Sequence, residues 1–166
     1  MGHWEVSGVD SFNAGLDELA ARVNAATDET VDDVLDLIQT ETTANLSITA
    51  HAPLMQTDSL PGEPPADVTG GLIRSLRPTR DPSTGDGVYS GRFGPTTVYS
   101  RIQELGGTIH GRPLLSWQTF DGEHFHRHFA ASVTLPPRPY LKPAVDEIKD
   151  EVRELFKTAW DDALHG

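Results

Sequence analysis

The feature that most constrains this sequence is a proline-rich segment near its C-terminal end. Residues 132–135 alternate polar and apolar side chains, a pattern that predicts a strand. Three of the next four residues are prolines, and they must end that strand because proline cannot donate a ladder hydrogen bond and its φ is fixed. Pro143 predicts the start of a helix, since the first turn needs no N–H at that position. The sequence therefore predicts a stiff connection between a strand and a helix, with Arg138 and Tyr140 displayed within it.

Helical periodicity dominates both ends of the sequence. Apolar residues recur every three or four positions within Leu16–Ile38, and acidic residues occupy the opposite side. No glycine or proline lies within residues 16–52, so one helix of about 35 residues, about 50 Å long, is possible. Ser11 is expected to cap its start, and a break at which Thr27 caps a second helix is the alternative. The same periodicity within Leu141–Ala163 predicts a C-terminal helix.

Between these helices the sequence alternates short strands with turns. Asp121-Gly122 is a strong turn signal, so Ile109–Phe120 and Glu123–Leu135 are expected to pair as a hairpin. Further elements are a short strand at His3–Val9, a proline-rich exposed loop at Ala52–Thr69, a short helix at Thr69–Leu76 that Pro78 ends, a strand at Val88–Phe93, and a segment at Val98–Leu105 whose structure the pattern leaves open. This order predicts a single α+β domain over residues 1–166, in which a long N-terminal helix and a C-terminal helix pack on an antiparallel β-sheet.

Composition argues against several classes of function. The 166 residues carry a net charge of −12, which argues against nonspecific binding to DNA or to a membrane surface. The chain contains no cysteine, so disulfides, thiolate metal ligands and thiol nucleophiles are excluded. No apolar run approaches the roughly 18 residues that a membrane span requires, so no membrane partner is expected.

Catalytic motifs are missing as well. The sequence has no Gly-x-Ser-x-Gly and no phosphate-binding glycine loop, and its adjacent carboxylates fall on helix faces expected to be solvated. We therefore expect no enzymatic activity, no catalytic residue and no cofactor. His124, His126 and His128 alternate along one expected strand and would project from one face, with about 7 Å between successive Cα atoms. Imidazoles at that spacing diverge too far to bind one ion without distortion, so no metal site is expected. The alternative function is that of a small metal-binding protein or hydrolase that uses the three histidines of this strand.

Four segments resemble, in the correct order, the motifs of one protein family. They are Val6–Asp10 with Gly15–Leu19, Ala52-Pro53 with Thr69–Leu76, Tyr99–Ile109, and Val133–Ala144. The third is similar to Tyr-Ala-x-x-x-Glu-Phe-Gly-Gly-Thr-Ile, and the fourth to Val-x-Ile-Pro-Ala-Arg-Pro-Phe/Tyr-Leu-x-Pro-Ala. The family is the head–tail connector, neck or tail-completion type of tailed-phage protein, which includes proteins like the lambda minor tail protein Z. The spacing inside the second motif is longer than the family usually has, and residues 111–129 match no part of the pattern.

The resemblance implies a non-enzymatic virion protein, made in the host cytoplasm and located between the DNA-filled head and the tail. It would form a homo-oligomeric ring, a hexamer or dodecamer, beside head-completion or adaptor, tail-terminator and tail-tube proteins. Genomic DNA would pass through the lumen without specific binding, since an acidic lumen repels it. Arg138, Tyr140, Tyr99 and Glu104 would make contacts between subunits or within the fold. A host-encoded interaction domain with no virion role is the remaining alternative.

Overall fold

The fold is described by a computed structural model for residues 8–48, 59–66, 69–83, 87–120 and 122–166. In chain order, the elements are α1 (Val9–Ile48), α2 (Gly71–Ser75), β1 (Leu76–Arg80), β2 (Gly91–Pro95), α3 (Ser100–Leu105), β3 (Gly107–Phe120), β4 (Phe125–Leu135) and α4 (Leu141–His165). The long N-terminal helix, the C-terminal helix and the antiparallel strand pairs confirm the expected α+β class. Residues 3–7 of the strand expected at His3–Val9 lie outside the described residues, and Val9 itself begins α1.

Helix α1 is continuous over 40 residues, about 60 Å, without the break considered at Thr27. The Thr27 hydroxyl donates to the carbonyl oxygen of Val23 at 2.7 Å, so it is satisfied inside the helix and caps nothing. The expectation that Ser11 caps the start is also wrong, because the helix begins two residues earlier. The Ser11 hydroxyl instead donates to the Gly8 carbonyl oxygen at 2.9 Å, within the first turn.

Helices α1 and α4 pack side by side in antiparallel orientation. The Asn45 side-chain amide donates to the Tyr140 carbonyl oxygen at 3.4 Å, which places the start of α4 beside the end of α1. Toward the other end of α4, the Trp160 indole N–H donates to the Thr27 hydroxyl at 2.9 Å. Ala144 and Ile148 of α4 are buried, whereas Leu35 of α1 is buried where α1 meets Gly91 of β2.

The strands form two separate antiparallel pairs rather than one sheet. Strand β1 pairs with β2, and β3 pairs with β4 from Gly107 opposite Leu135 to Phe120 opposite Phe125. The second pair is the hairpin that the turn signal predicted, and its register shifts between His110 and Leu115. Within the described residues, β3 and β4 have no strand partner except each other. Both outer edges of this ribbon are therefore free of other described strands, and most of its side chains are exposed on both faces.

Several boundaries in the middle of the chain differ from the expected ones. The short helix α2 ends at Ser75, and Pro78 does not stop it but lies in β1 opposite Phe93. A two-stranded pair accepts proline because each strand keeps one edge that donates no ladder bond. The strand expected at Val88–Phe93 is observed as β2, a few residues later, and the segment left open at Val98–Leu105 forms α3.

The core lies where the end of α1, the α2–β1 segment and the start of α4 converge. Leu46, Leu72, Leu76 and Tyr140 are buried there, and Ile73, Phe93 and Leu141 pack around them. Strand β1 is also joined to α1 by an ion pair between Arg80 and the carboxylates of Asp28 and Asp32. No helix within the described ranges is both long and apolar enough to cross a membrane.

Candidate functional site

The residues singled out by the resemblance meet at the junction that precedes α4. Glu104, in the last turn of α3, accepts hydrogen bonds from three consecutive backbone N–H groups: Oε2 from Tyr140 at 2.8 Å and from Leu141 at 3.1 Å, and Oε1 from Lys142 at 2.9 Å. The next residue, Pro143, has no N–H. None of the first four N–H positions of α4 is therefore left with an unpaired donor, because Glu104 accepts three of the N–H groups and the proline has none.

This cap explains where α4 begins. The sequence predicted a start at Pro143, but the helix begins at Leu141, two residues earlier. Tyr140 occupies the cap position and supplies no side-chain cap of its own. Because Glu104 replaces the missing local cap, the helix can include the residues before the proline. A carboxylate at this position also interacts favourably with the partial positive charge of the helix N-terminus.

Arg138 makes hydrogen bonds that hold the proline segment, residues 136–139, against two neighbouring parts of the same chain. Its backbone N–H donates to the Gln103 carbonyl oxygen at 2.7 Å, and its guanidinium Nε donates to the Ser59 carbonyl oxygen at 3.1 Å. Beside it, the N–H of Gly62 donates to the Pro137 carbonyl oxygen at 3.0 Å. The proline segment thus lies between α3 on one side and residues 59–66 on the other.

The loop Ala52–Thr69 was expected to be exposed, and its described residues are only partly exposed. Residues 59–66 are held against the proline segment by the two bonds just given, and Ser59 and Pro65 are buried. Residues 52–58 and 67–68 lie outside the described part of the chain. A loop of this composition was expected at the surface. Ser59 and Gly62 are instead held against the fold, because the Arg138 guanidinium donates to the Ser59 carbonyl oxygen and the Pro137 carbonyl oxygen accepts from the Gly62 N–H.

The Gly106-Gly107 pair of the third motif permits the close approach of α3 to the prolines. Gly106 ends α3 with φ of 68°, a conformation that disfavours other residues. A Cβ added there would lie 2.7 Å from the backbone nitrogen of Pro137. Both the backbone conformation and the lack of space require glycine at this position.

Tyr140 joins the junction to the core. Only 1% of its surface is exposed, and it packs in the cluster with Leu46, Leu72 and Leu76. The Ser100 side chain lies beside its hydroxyl. Tyr99 lies at the border of this group, is 42% exposed, and has its hydroxyl 3.1 Å from the position of a Cβ added at Gly71. Tyr140 is therefore a contact within the fold and is not available to a neighbouring subunit, whereas Tyr99 is.

Burial raises the pKa of Tyr140 from its ordinary value of 10.0 to about 12, with Glu104 and Tyr99 acting in the same direction. The stability that depends on the neutral phenol is fully present below pH 10 and is lost as the pH rises through about 12, because the unfolded chain ionises first. An ultraviolet phenolate titration is expected to show a step near pH 12 that Tyr140→Phe removes. If the step survives in that variant, it belongs to another group and the assignment is wrong.

The three histidines considered as metal ligands are not brought together with further ligands. His126 lies opposite Thr119, and His128 lies opposite Trp117, with which it stacks at a centroid distance of 5.3 Å. His124 precedes β4 rather than belonging to it. In the described part of the chain, no group of three or more histidine, aspartate or glutamate side chains could hold a metal ion. The alternative of a metal-binding protein or hydrolase gains no support from this geometry.

Two exposed apolar surfaces were not anticipated as sites. The first turns of α1 expose Val9, Phe12 and Leu16, and the β3–β4 ribbon exposes large side chains. Those of the ribbon are Leu114, Trp117, Phe125 and Phe129. The apolar spacing in α1 was visible in the sequence, but the register at which α4 packs against α1 was not. Both surfaces offer contact area and no reactive group.

Comparisons of this chain with protein-family models, with curated proteins and with solved structures find no match.

Proposed function

We propose that this chain is a structural protein of the head–tail neck of a tailed virus, in which copies form a ring between the head connector and the tail tube. The carrying observation is that segments resembling the family's motifs form one physical unit. Glu104 of the third motif caps the helix that opens in the fourth, and Leu72 and Leu76 of the second pack on Tyr140 of the fourth.

The distribution of exposed surface supports an assembly role. Among the elements that the structure describes, the β3–β4 ribbon packs extensively only on itself, and a two-stranded ribbon is marginally stable when isolated in water. It carries exposed aromatic side chains on both faces, among them Trp117 and Phe129. Surfaces of this kind are stabilised when a neighbouring subunit covers them. A ring subunit has such neighbours on two sides.

The charge of the chain suits passage of DNA. Its 25 acidic residues against 13 lysines and arginines give a net charge of −12. Acidic groups around a lumen repel the phosphate backbone, so a DNA molecule would meet no strong binding site on its way through. No catalytic step is required of a protein with this role, and we propose none.

The test uses the virus that carries this gene. We expect mass spectrometry of purified particles to detect the chain, and cryo-electron microscopy of the neck to show it as a ring. Deletion of the gene is expected to leave filled heads and free tails, and expression of the wild-type chain in trans should restore joined particles. Infectious particles that form at normal yield without this chain would refute the proposal.

A further inference from the structure

The β3–β4 ribbon joins the rest of the fold through two short chain segments. Gly106 leads from α3 into β3, and the proline segment leads from the end of β4 to the cap position of α4. Among the described elements, the ribbon packs extensively on no other helix or strand. Its direction relative to α1 and α4 is therefore set mainly by Gly106 and the proline segment, which together we call the ribbon base.

The two parts of the ribbon base are fixed against each other. Because the other three residues of the proline segment are prolines, Arg138 has its only backbone N–H, and this group donates to the Gln103 carbonyl oxygen at 2.7 Å. A Cβ added at Gly106 would lie 2.7 Å from the Pro137 nitrogen, so the two parts are in close contact. Neither part can turn far without displacing the other.

Glu104 connects the ribbon base to the first turn of α4. It lies two residues before Gly106, in a helix that packs extensively on no other helix or strand of the described ranges. Its carboxylate accepts hydrogen bonds from the N–H groups of Tyr140, Leu141 and Lys142, directly after the proline segment. The position of α3, and with it the start of the ribbon, therefore depends strongly on this one side chain.

We propose that Glu104 couples the direction of the ribbon to the capping of α4. While its three hydrogen bonds are present, α3 is held beside the start of α4 and the ribbon keeps one direction. When they are lost, the ribbon turns as a unit about Gly106 and the Leu135–Pro136 link, because its ladder is internal and glycine permits many backbone conformations. The coupling is reciprocal, so a neighbour that turns the ribbon also uncaps α4. This inference goes beyond the proposed function and does not rest on it.

The absence of cysteine from the sequence allows spin labels to be placed at chosen positions of the full-length chain. Gln118→Cys on the ribbon and Asp36→Cys on α1 are exposed sites, and double electron–electron resonance measures the distribution of distances between their labels. We expect this distribution to become at least about twofold wider in Glu104→Ala, because the released ribbon takes several directions. The pair Gln118→Cys with Ser132→Cys, both within the ribbon, should keep its width.

Gly106→Ala tests the coupling in the opposite direction. The substitution removes no group of the α4 cap, but its Cβ must push α3 away from Pro137. We therefore expect hydrogen exchange at the Leu141 N–H to become at least about tenfold faster. Gly70→Ala is the matched control, because Gly70 has φ of 69°, close to the 68° of Gly106, and its added Cβ meets only the flexible Arg74 side chain. It should change neither this exchange nor the width of the ribbon–α1 distribution.

The possible outcomes separate this inference from the proposed function. An equally wide ribbon–α1 distribution with and without the Glu104 carboxylate would overturn the coupling, and so would unchanged exchange at Leu141 in a folded Gly106→Ala chain. If Gly106→Ala does not fold, which circular dichroism shows, the Glu104→Ala distances decide alone. Widening of the pair within the ribbon would mean that the ribbon itself unravels, which also overturns the proposal. None of these measurements uses virus particles, so the coupling and the neck function can fail separately.

Discussion

Replacing Tyr140 with alanine is expected to lower the free energy of unfolding by about 4 kcal/mol. The phenol ring is 1% exposed and contacts the side chains from α1, α2 and β1 that form the core cluster. Removing it leaves a cavity at the place where these elements meet, and the proline segment before it prevents the backbone from moving inward to fill the space. The measurement is urea unfolding followed by circular dichroism, compared at equal m-value.

Two further variants separate the ring from its hydroxyl. Tyr140→Phe keeps the ring and loses only the hydroxyl, so we expect a loss of about 1 kcal/mol. Tyr99→Ala, at a neighbouring tyrosine that is 42% exposed, should cost much less than Tyr140→Ala. If Tyr140→Ala and Tyr99→Ala lowered stability equally, the core would not be centred on Tyr140.

The elements that the sequence predicted correctly are those specified by local pattern. Helices α1 and α4 follow from apolar residues three and four apart, and the β3–β4 hairpin follows from two alternating segments around Asp121-Gly122. Each of these signals lies within the element that it specifies. Their existence could therefore be predicted from the sequence, although α1 begins two residues before Ser11, its expected cap, and α4 begins two residues before Pro143, its expected first residue.

The elements that were missed depend on residues far apart in the sequence. Glu104 lies 36 to 38 residues before the N–H groups that it caps, and no local pattern links a glutamate in α3 to the start of α4. The division into two strand pairs likewise depends on which edges meet in space. The position at which α4 ends along α1 also depends on the register of the two helices, which the bonds from Asn45 to Tyr140 and from Trp160 to Thr27 set.

The resemblance identified site residues without giving their geometry. It singled out Arg138, Tyr140, Tyr99 and Glu104 as contacts between subunits or within the fold, and the structure places Glu104 and Arg138 in hydrogen bonds within one chain. The partners of these bonds are mostly backbone groups, such as the carbonyl oxygen of Ser59. Every residue has a backbone carbonyl and N–H, so the sequence does not indicate which backbone group a side chain will bind. A motif can therefore single out a residue such as Arg138 without indicating its hydrogen-bond partner.

Replacing Glu104 with alanine is expected to lower the free energy of unfolding by about 3 kcal/mol, because three backbone N–H groups lose a charged acceptor together. Glu104→Gln keeps one carboxamide oxygen, so its loss should be intermediate, and Glu151→Ala on the exposed face of α4 serves as the matched control. Urea unfolding measures the loss, and hydrogen exchange at Tyr140, Leu141 and Lys142 locates it. Helix α4 would then fray from its first turn and release the proline segment from α3. Unchanged exchange at those three N–H groups in Glu104→Ala would mean that another group caps α4.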